Sequence, residues 1–316
     1  MSDTLDDAPR HHPFVLGIIG DSGSGKSTVS RGVRELIGAD RVSTLELDDY
    51  HRYSRAERLE LQLTALNPMV HNLSLMQEHL QLLRRGRPVR NRSYDHTDGS
   101  FGPLRTLEPL EVVVVRGLLG FPTEELRACY DLTVFLYPEP DLLFRWKLRR
   151  DTKSRGYSEA EVLKSIARHL LDSKMYVLPQ ADRADLVVRY EIPEWEAPDT
   201  EVRTSLVLRR AAAEAVRRDG IGGQLGEHVR VEEQEGDLVI HVDNALPVEV
   251  VDAWGAERFP DTYATARFGL YQDEEGGEGR LVPLAFTQLL IAELAQKLRR
   301  PAGPPAQAAS EPVRVD

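Results

Sequence analysis

An α/β fold, a mostly parallel sheet flanked by helices, is predicted for this chain by three observations. The stretch Gly20-Asp21-Ser22-Gly23-Ser24-Gly25-Lys26-Ser27-Thr28 fits G-x-x-x-x-G-K-[ST] with every fixed position filled. Its flanks suit the motif: the apolar run Phe14 to Ile19 precedes it, and Val29, Val33, Leu36 and Ile37 follow at helical spacing, with Gly38 as a stop. Apolar strand-like runs then alternate with helical ones to about residue 190, the pattern of parallel strands joined by crossover helices.

Residues 1–12, which include His11-His12, read as a disordered tail. Beyond the first strand and helix, Val42 to Leu47 makes a second strand that ends at Asp48-Asp49. Ser54-x-x-Glu57 is a capping box for a helix carrying Leu59, Leu63 and Leu66. A helix from Asn72 places Leu73, Met76, Leu80 and Leu83 on one face and ends at Gly86. Residues 88–109 read as loop, with basic and aromatic residues interleaved. A strand over Glu111 to Val115, a short helix after Pro122 and a strand over Leu132 to Leu136 follow. The helix Glu139 to Arg150 buries Leu142, Leu143 and Trp146; a second capping box, Ser158-x-x-Glu161, opens a helix carrying Val162, Ile166 and Leu170. Asp185 to Tyr190 is the next strand. The acidic, proline-bearing segment Glu191 to Thr200 marks a boundary, after which short β-like runs such as Leu238 to Val242 and Val248 to Val251 lead to a helix over Leu284 to Leu298. That predicts a smaller C-terminal α+β extension over 191–300. From Pro301 the chain is Pro/Ala-rich and reads as a disordered tail, 301–316.

Composition narrows the function. With 316 residues, 41% hydrophobic and 29% charged, the chain has the make-up of a soluble globular protein. A net charge of -11 argues against a nucleic-acid partner. The single cysteine, Cys129, excludes an internal disulfide or a thiolate metal cluster. No apolar run approaches the ~20 residues needed to cross a bilayer, and no signal segment opens the chain, so no membrane partner and a cytoplasmic location are expected.

The chemistry starts at the phosphate loop. Its glycines let backbone N–H groups wrap phosphate oxygens, Lys26 reaches the β- and γ-phosphates of a nucleoside triphosphate, and the Ser27 hydroxyl ligates Mg²⁺. Asp48 falls at the carboxyl end of the second strand, on the sheet edge where open α/β folds hold ligands, and can take a proton from an attacking hydroxyl. Three basic clusters suit an anionic acceptor: His51, Arg52 and Arg55; Arg90, Arg92, Tyr94 and His96; and Lys147, Arg150 and Asp151 with Arg155 in a loop beyond. An arginine such as Arg155 can stabilise charge on a transferring phosphoryl group.

Taken together the motifs resemble the phosphoribulokinase family. The resemblance is carried by the phosphate loop, Asp48-Asp49-Tyr50-His51 with Arg55, Asn67-Pro68 with Asn72, and Tyr94-x-His96-x-x-Gly99. Lys147-x-x-Arg150-Asp151-x-x-x-Arg155-Gly156, Pro179-Gln180 and Ala184-Asp185 complete it. It spans about residues 14–190. The resemblance implies a P-loop kinase domain over 13–190, ATP and Mg²⁺ as cofactors, and transfer of the γ-phosphate to O1 of ribulose 5-phosphate. It also implies a homodimer. By the same resemblance Asp48 is the general base and Asp151 a metal-associated or second essential acid. His51, Arg55, His96 and Lys147 would hold the sugar phosphate, while Arg150 and Arg155 line the transferring group. A uridine kinase-like enzyme and a weakly catalytic binding protein are the alternatives.

Two positions depart from the family pattern. Plant and cyanobacterial members carry a redox-switching cysteine pair where this chain has Ser24 and Glu46. The family's Glu-Gly-Leu turn, whose glutamate is the metal-side acid, reads Arg116-Gly117-Leu118 here. A cation ~4 Å from a divalent ion is repelled by about 8 kcal/mol at an effective dielectric of ~20. The sequence leaves several arrangements open: Arg116 points away, pairs with Asp48, Asp49 or Asp151, touches phosphate directly, or weakens catalysis.

Overall fold

A computed structural model describes residues 12–299 apart from 154, 195–196, 199–200, 220–225 and 273–276, so the expected disorder of the two tails lies outside the described residues, residue 12 excepted. Its centre is an eight-stranded sheet. In spatial order the strands are β2 (Val42–Glu46), β5 (Val112–Gly117), β1 (Phe14–Gly20), β6 (Leu132–Pro138), β7 (Leu186–Glu191), β8 (Arg203–Leu208), β10 (Asp237–Val242) and β9 (Val229–Gln234). The first five are parallel. The last three continue the sheet antiparallel to their neighbours. All seven residues of β1 are buried, which explains its unbroken apolar reading: both faces of the sheet are covered.

One face packs against α1 (Lys26–Ile37), through Val29, Val33 and Leu36, and against three helices from the C-terminal third: α7 (Arg210–Asp219), α8 (Val248–Arg258) and α9 (Val282–Leu298). The other face is covered by α3 (Leu73–Arg84), through Met76, Leu80 and Leu83, and by Leu126 of the short helix α4 (Glu124–Arg127). Residues 191–300 thus add strands and helices to the core begun by 13–190.

Several local expectations change. Residues 88–109 form a hairpin, β3 (Val89–Tyr94) with β4 (Phe101–Leu107), apart from the main sheet. It hides from a hydrophobicity pattern because most of β4 is exposed and its packing includes Arg92 lying 3.6 Å over the Phe101 ring. Helix α2 (Arg55–Glu60) has the capping box but stops before Leu63; Gln62, at φ 58, turns the chain away. Val248 to Val251 opens α8 rather than a strand, because Pro247 caps it and Val251 and Trp254 bury at helical spacing. Helix α5 (Pro140–Lys153) buries Leu142, with Leu143 and Trp146 only partly covered. Helix α6 (Glu159–Asp172) buries Val162 and leaves Leu170 55% exposed, so its apolar stripe is only half used.

Candidate active site

The phosphate loop joins the end of β1 to the head of α1. Gly23 and Gly25 take φ 94 and 90, the left-handed region that a side chain would strain. No side chain caps α1, so its leading N–H groups remain for an anion. Lys26 Nζ donates to the Gly20 and Asp21 carbonyls, at 2.9 and 2.6 Å. Burial lowers its pKa to about 8, against the pull of Asp21 and Asp48. Asp21 faces inward: it accepts from the Ser173 hydroxyl and the Ser22 N–H. Residues Ser22 to Thr28 line a cleft of about 1050 Å³, while Gly20 and Asp21 lie outside its lining.

Opposite the loop, β2 runs into a 3-10 turn, Leu47–Tyr50, that brings Asp48 to the cleft. Its Oδ2 lies 3.2 Å from His96 Nε2. Oδ1 is buried and has no hydrogen-bond partner among the described residues. Burial pushes the carboxyl up, but the His96 hydrogen bond and the neighbouring His51 and His71 outweigh it and hold the group well below the usual carboxylate range. His51 is itself buried, with its ring 4.7 Å from His71 and 4.8 Å from Tyr94, and neither of its nitrogens has a hydrogen-bond partner among the described residues. Burial pushes its pKa down to about 3.

That depression sets a pH dependence. A histidine at about 3 when folded and ~6.5 when unfolded binds its proton mainly in the unfolded chain between those limits. Stability is therefore complete above about pH 6.5 and falls as the pH drops towards 3. Buried His71 and half-buried His169 shift in the same direction. Asp48, which unfolding restores to its ordinary range, adds to the loss below about pH 4. His51 alone contributes a loss of about 3 kcal/mol by pH 4, to be read as a falling melting temperature between pH 7 and 4. A flat profile would contradict the burial of these rings.

The remaining wall is cationic. Among the described residues the cleft is lined by eleven lysines and arginines against five carboxylates, in a chain of net charge -11. Arg55 reaches across to the His96 carbonyl at 2.6 Å, fixing the hairpin tip against α2. Arg58 donates to the Tyr94 hydroxyl at 2.7 Å and supports the same wall. On α5, Lys147 is buried with Nζ 3.2 Å from His169 Nδ1. Arg150 bonds Ser22 Oγ at 3.1 Å and Asp151 at 2.8 Å, while Arg155 lies 3.3 Å from the same carboxylate.

The structure therefore gathers Asp48, His51, Arg55, Tyr94, His96, Lys147, Arg150, Asp151 and Arg155 around the loop. Arg52 is the exception: it is exposed, bonds the His71 carbonyl at 3.1 Å and stands outside the cleft lining. Arg58, His71 and His169 are the residues sequence reasoning missed. Arg116 pairs with none of Asp48, Asp49 and Asp151; it donates to Glu46 Oε1 at 2.5 Å and to Ser30 Oγ at 3.0 Å. Glu46 and Arg116 are direct neighbours on adjacent parallel strands. Two charged residues each closing an apolar strand were the available signal.

Of the residues expected at Mg²⁺, Ser27 fits, being exposed at the loop, where its hydroxyl could supply one oxygen ligand to an ion carried by a nucleotide. Asp151 does not, since two guanidiniums occupy it, and no trio of His, Cys, Asp or Glu among the described residues is arranged to hold a metal. Cys129 is buried and unpaired, and no helix among the described residues is long and apolar enough to cross a membrane.

A phosphate loop facing a strand-end carboxylate, on a mostly parallel sheet, places the molecule in the P-loop kinase class. Comparison with known proteins narrows this. The chain belongs to the Phosphoribulokinase / Uridine kinase family, whose model matches residues 15–194. The phosphoribulokinase of Synechocystis sp. is 35% identical over 175 residues, covering 55% of this chain and 53% of that protein. The chain thus spans about half the length of the curated phosphoribulokinases it matches in sequence. The uridine kinase of Deinococcus deserti is 31% identical over 201 residues, covering 61% of this chain and 97% of that one. In fold, the phosphoribulokinase from Rhodobacter spheroides superposes with a TM-score of 0.61 at 17% identity, covering 80% of this chain and 98% of its own.

Proposed function

We propose that this chain transfers the γ-phosphate of ATP to O1 of D-ribulose 5-phosphate, giving ribulose 1,5-bisphosphate and ADP. The observation that carries the reading is the free, buried Asp48 Oδ1 in a cleft with a surplus of cations. Lys26 and the head of α1 would take the nucleotide phosphates. Mg²⁺ carried in on those phosphates would meet the Ser27 hydroxyl and screen their charge. Asp48 Oδ1 would accept the O1 proton as O1 bonds the γ-phosphorus and the bond from that phosphorus to the bridging oxygen breaks towards ADP. His96, on Oδ2, keeps the carboxylate turned to the hydroxyl. Arg150 and Arg155, tied by Asp151, would spread over the transferring group. Arg55, His51 and Lys147 remain for the 5-phosphate, with His96 standing between that group and Asp48.

A nucleoside acceptor is the second reading, favoured by the near-complete coverage of the uridine kinase. A nucleoside carries no phosphate to meet this wall. The test is an acceptor screen at saturating Mg-ATP. Ribulose 5-phosphate is expected to stimulate ADP formation over uridine by about 10³-fold or more, since sites built for a charged group reject analogues lacking it. Stimulation by uridine instead would sink the proposal; tight ligand binding with negligible turnover would point to a binding protein.

A further inference from the structure

The acids that line the cleft are all engaged. Glu46 holds Arg116, Asp48 faces His96, Asp151 holds Arg150 and Arg155, Asp49 accepts the Tyr94 N–H at 2.7 Å, and Glu161 bonds Ser158 at the head of its own helix. A divalent ion arriving with a nucleotide therefore meets no carboxylate without a partner among these acids, and the one oxygen left open on Asp48, Oδ1, is the one assigned above to the acceptor hydroxyl.

Arg116 is set differently from the other cations. Its Cα pairs with Ile18 on β1, two residues before the phosphate loop begins at Gly20. Nη1 is anchored on Ser30 Oγ, which itself bonds the Ser27 carbonyl at 3.3 Å in the first turn of α1. Nε is held by Glu46. Nη2 makes no hydrogen bond among the described residues, and the side chain is 27% exposed in the wall of the cleft. The guanidinium is thus fixed at two of its three nitrogens and open at the third, Nη2, in the same cleft wall as Lys26 and Ser27. An open, oriented guanidinium is a phosphate ligand.

We propose that Arg116 contacts the terminal phosphate of the bound nucleoside triphosphate and supplies part of the charge neutralisation otherwise left to a divalent cation, so that nucleotide binding by this chain depends only weakly on Mg²⁺. The inference rests on the nucleotide half of the function proposed above and is independent of the acceptor. Glu46 sets its strength, because a guanidinium shared with a carboxylate has less to give a phosphate.

The test is titration of the full chain with a fluorescent, non-hydrolysable ATP analogue, in Mg²⁺ and in EDTA. The wild type is expected to bind in EDTA within about fivefold of its affinity in Mg²⁺. Arg116→Gln should weaken binding by about tenfold or more in EDTA and distinctly less in Mg²⁺, the scale of one charge-assisted hydrogen bond. Glu46→Gln, which frees the guanidinium, should tighten metal-free binding by a few-fold. This opposite sign guards against reading a folding defect as lost contact, and melting curves of both variants check it further. Equal loss for Arg116→Gln in both buffers, or wild-type binding that collapses in EDTA, overturns the inference while leaving nucleotide binding in place. No binding in either buffer overturns the nucleotide reading and this inference together.

Discussion

Asp48→Asn is expected to lower kcat for ribulose 5-phosphate phosphorylation by about 10³-fold, within the range that a positioned general base contributes. The variant keeps the shape of the side chain and an oxygen for His96, so the site stays assembled and only the proton acceptor is lost. KM for ATP should hardly move, because Lys26 and the head of α1 are untouched. Thermal stability should fall modestly at neutral pH, since burial disfavours the ionised carboxylate in the folded state by less than His96 and the neighbouring His51 and His71 favour it. Steady-state ADP release and a melting curve on the same preparation check both halves. Activity within tenfold of the wild type would remove Asp48 from the mechanism. A large loss accompanied by a collapse of stability would show instead that the carboxylate organises the turn.

Phe286→Ala is the second large expectation, in stability rather than chemistry. Phe286 is fully buried in α9, with its ring 5.1 Å from Trp254, in the same core cluster as Val29 and Val33 of α1. Emptying that volume costs about 3–5 kcal/mol, read from urea unfolding. The shape of the curve matters as much as its midpoint. With one core under both halves of the chain, intrinsic fluorescence and nucleotide binding should be lost in one coincident transition. Two separated transitions, with nucleotide binding surviving the first, would mean that the C-terminal third folds by itself.

The sequence made the centre of the site legible because its parts are local. The loop, its glycines and the periodicity of α1 lie within one short stretch, and Asp48 follows from where a strand stops. Arg55, His96 and Lys147 were found by composition and resemblance, although what joins the first two is a hairpin that read as loop because its exposed strands carry arginines. Glu46 and Arg116 each stood out as a charge near the end of an apolar strand, but their pairing did not: they are 70 residues apart and meet only because β2 and β5 are neighbours in register. At the other end, the valines of Val248 to Val251 suggested strand by propensity, and burial of one helical face overrode it. The boundary near residue 191 marks a change in strand direction, from parallel to antiparallel.

The contact between α9 and the loop helix bears on how this chain can be divided. Gln288, buried in α9, donates to the Thr28 carbonyl at 2.9 Å and accepts from the Gly269 N–H at 2.6 Å. It lies so close that a β-carbon on Gly32 would fall 2.2 Å from its side chain. Helix α9 therefore braces α1, and residues 260 positions apart share one joint beneath the phosphate loop. A module trimmed after β7 would lose that brace, leaving the Thr28 carbonyl and the Gly32 face of the loop helix without the side chain that packs on them.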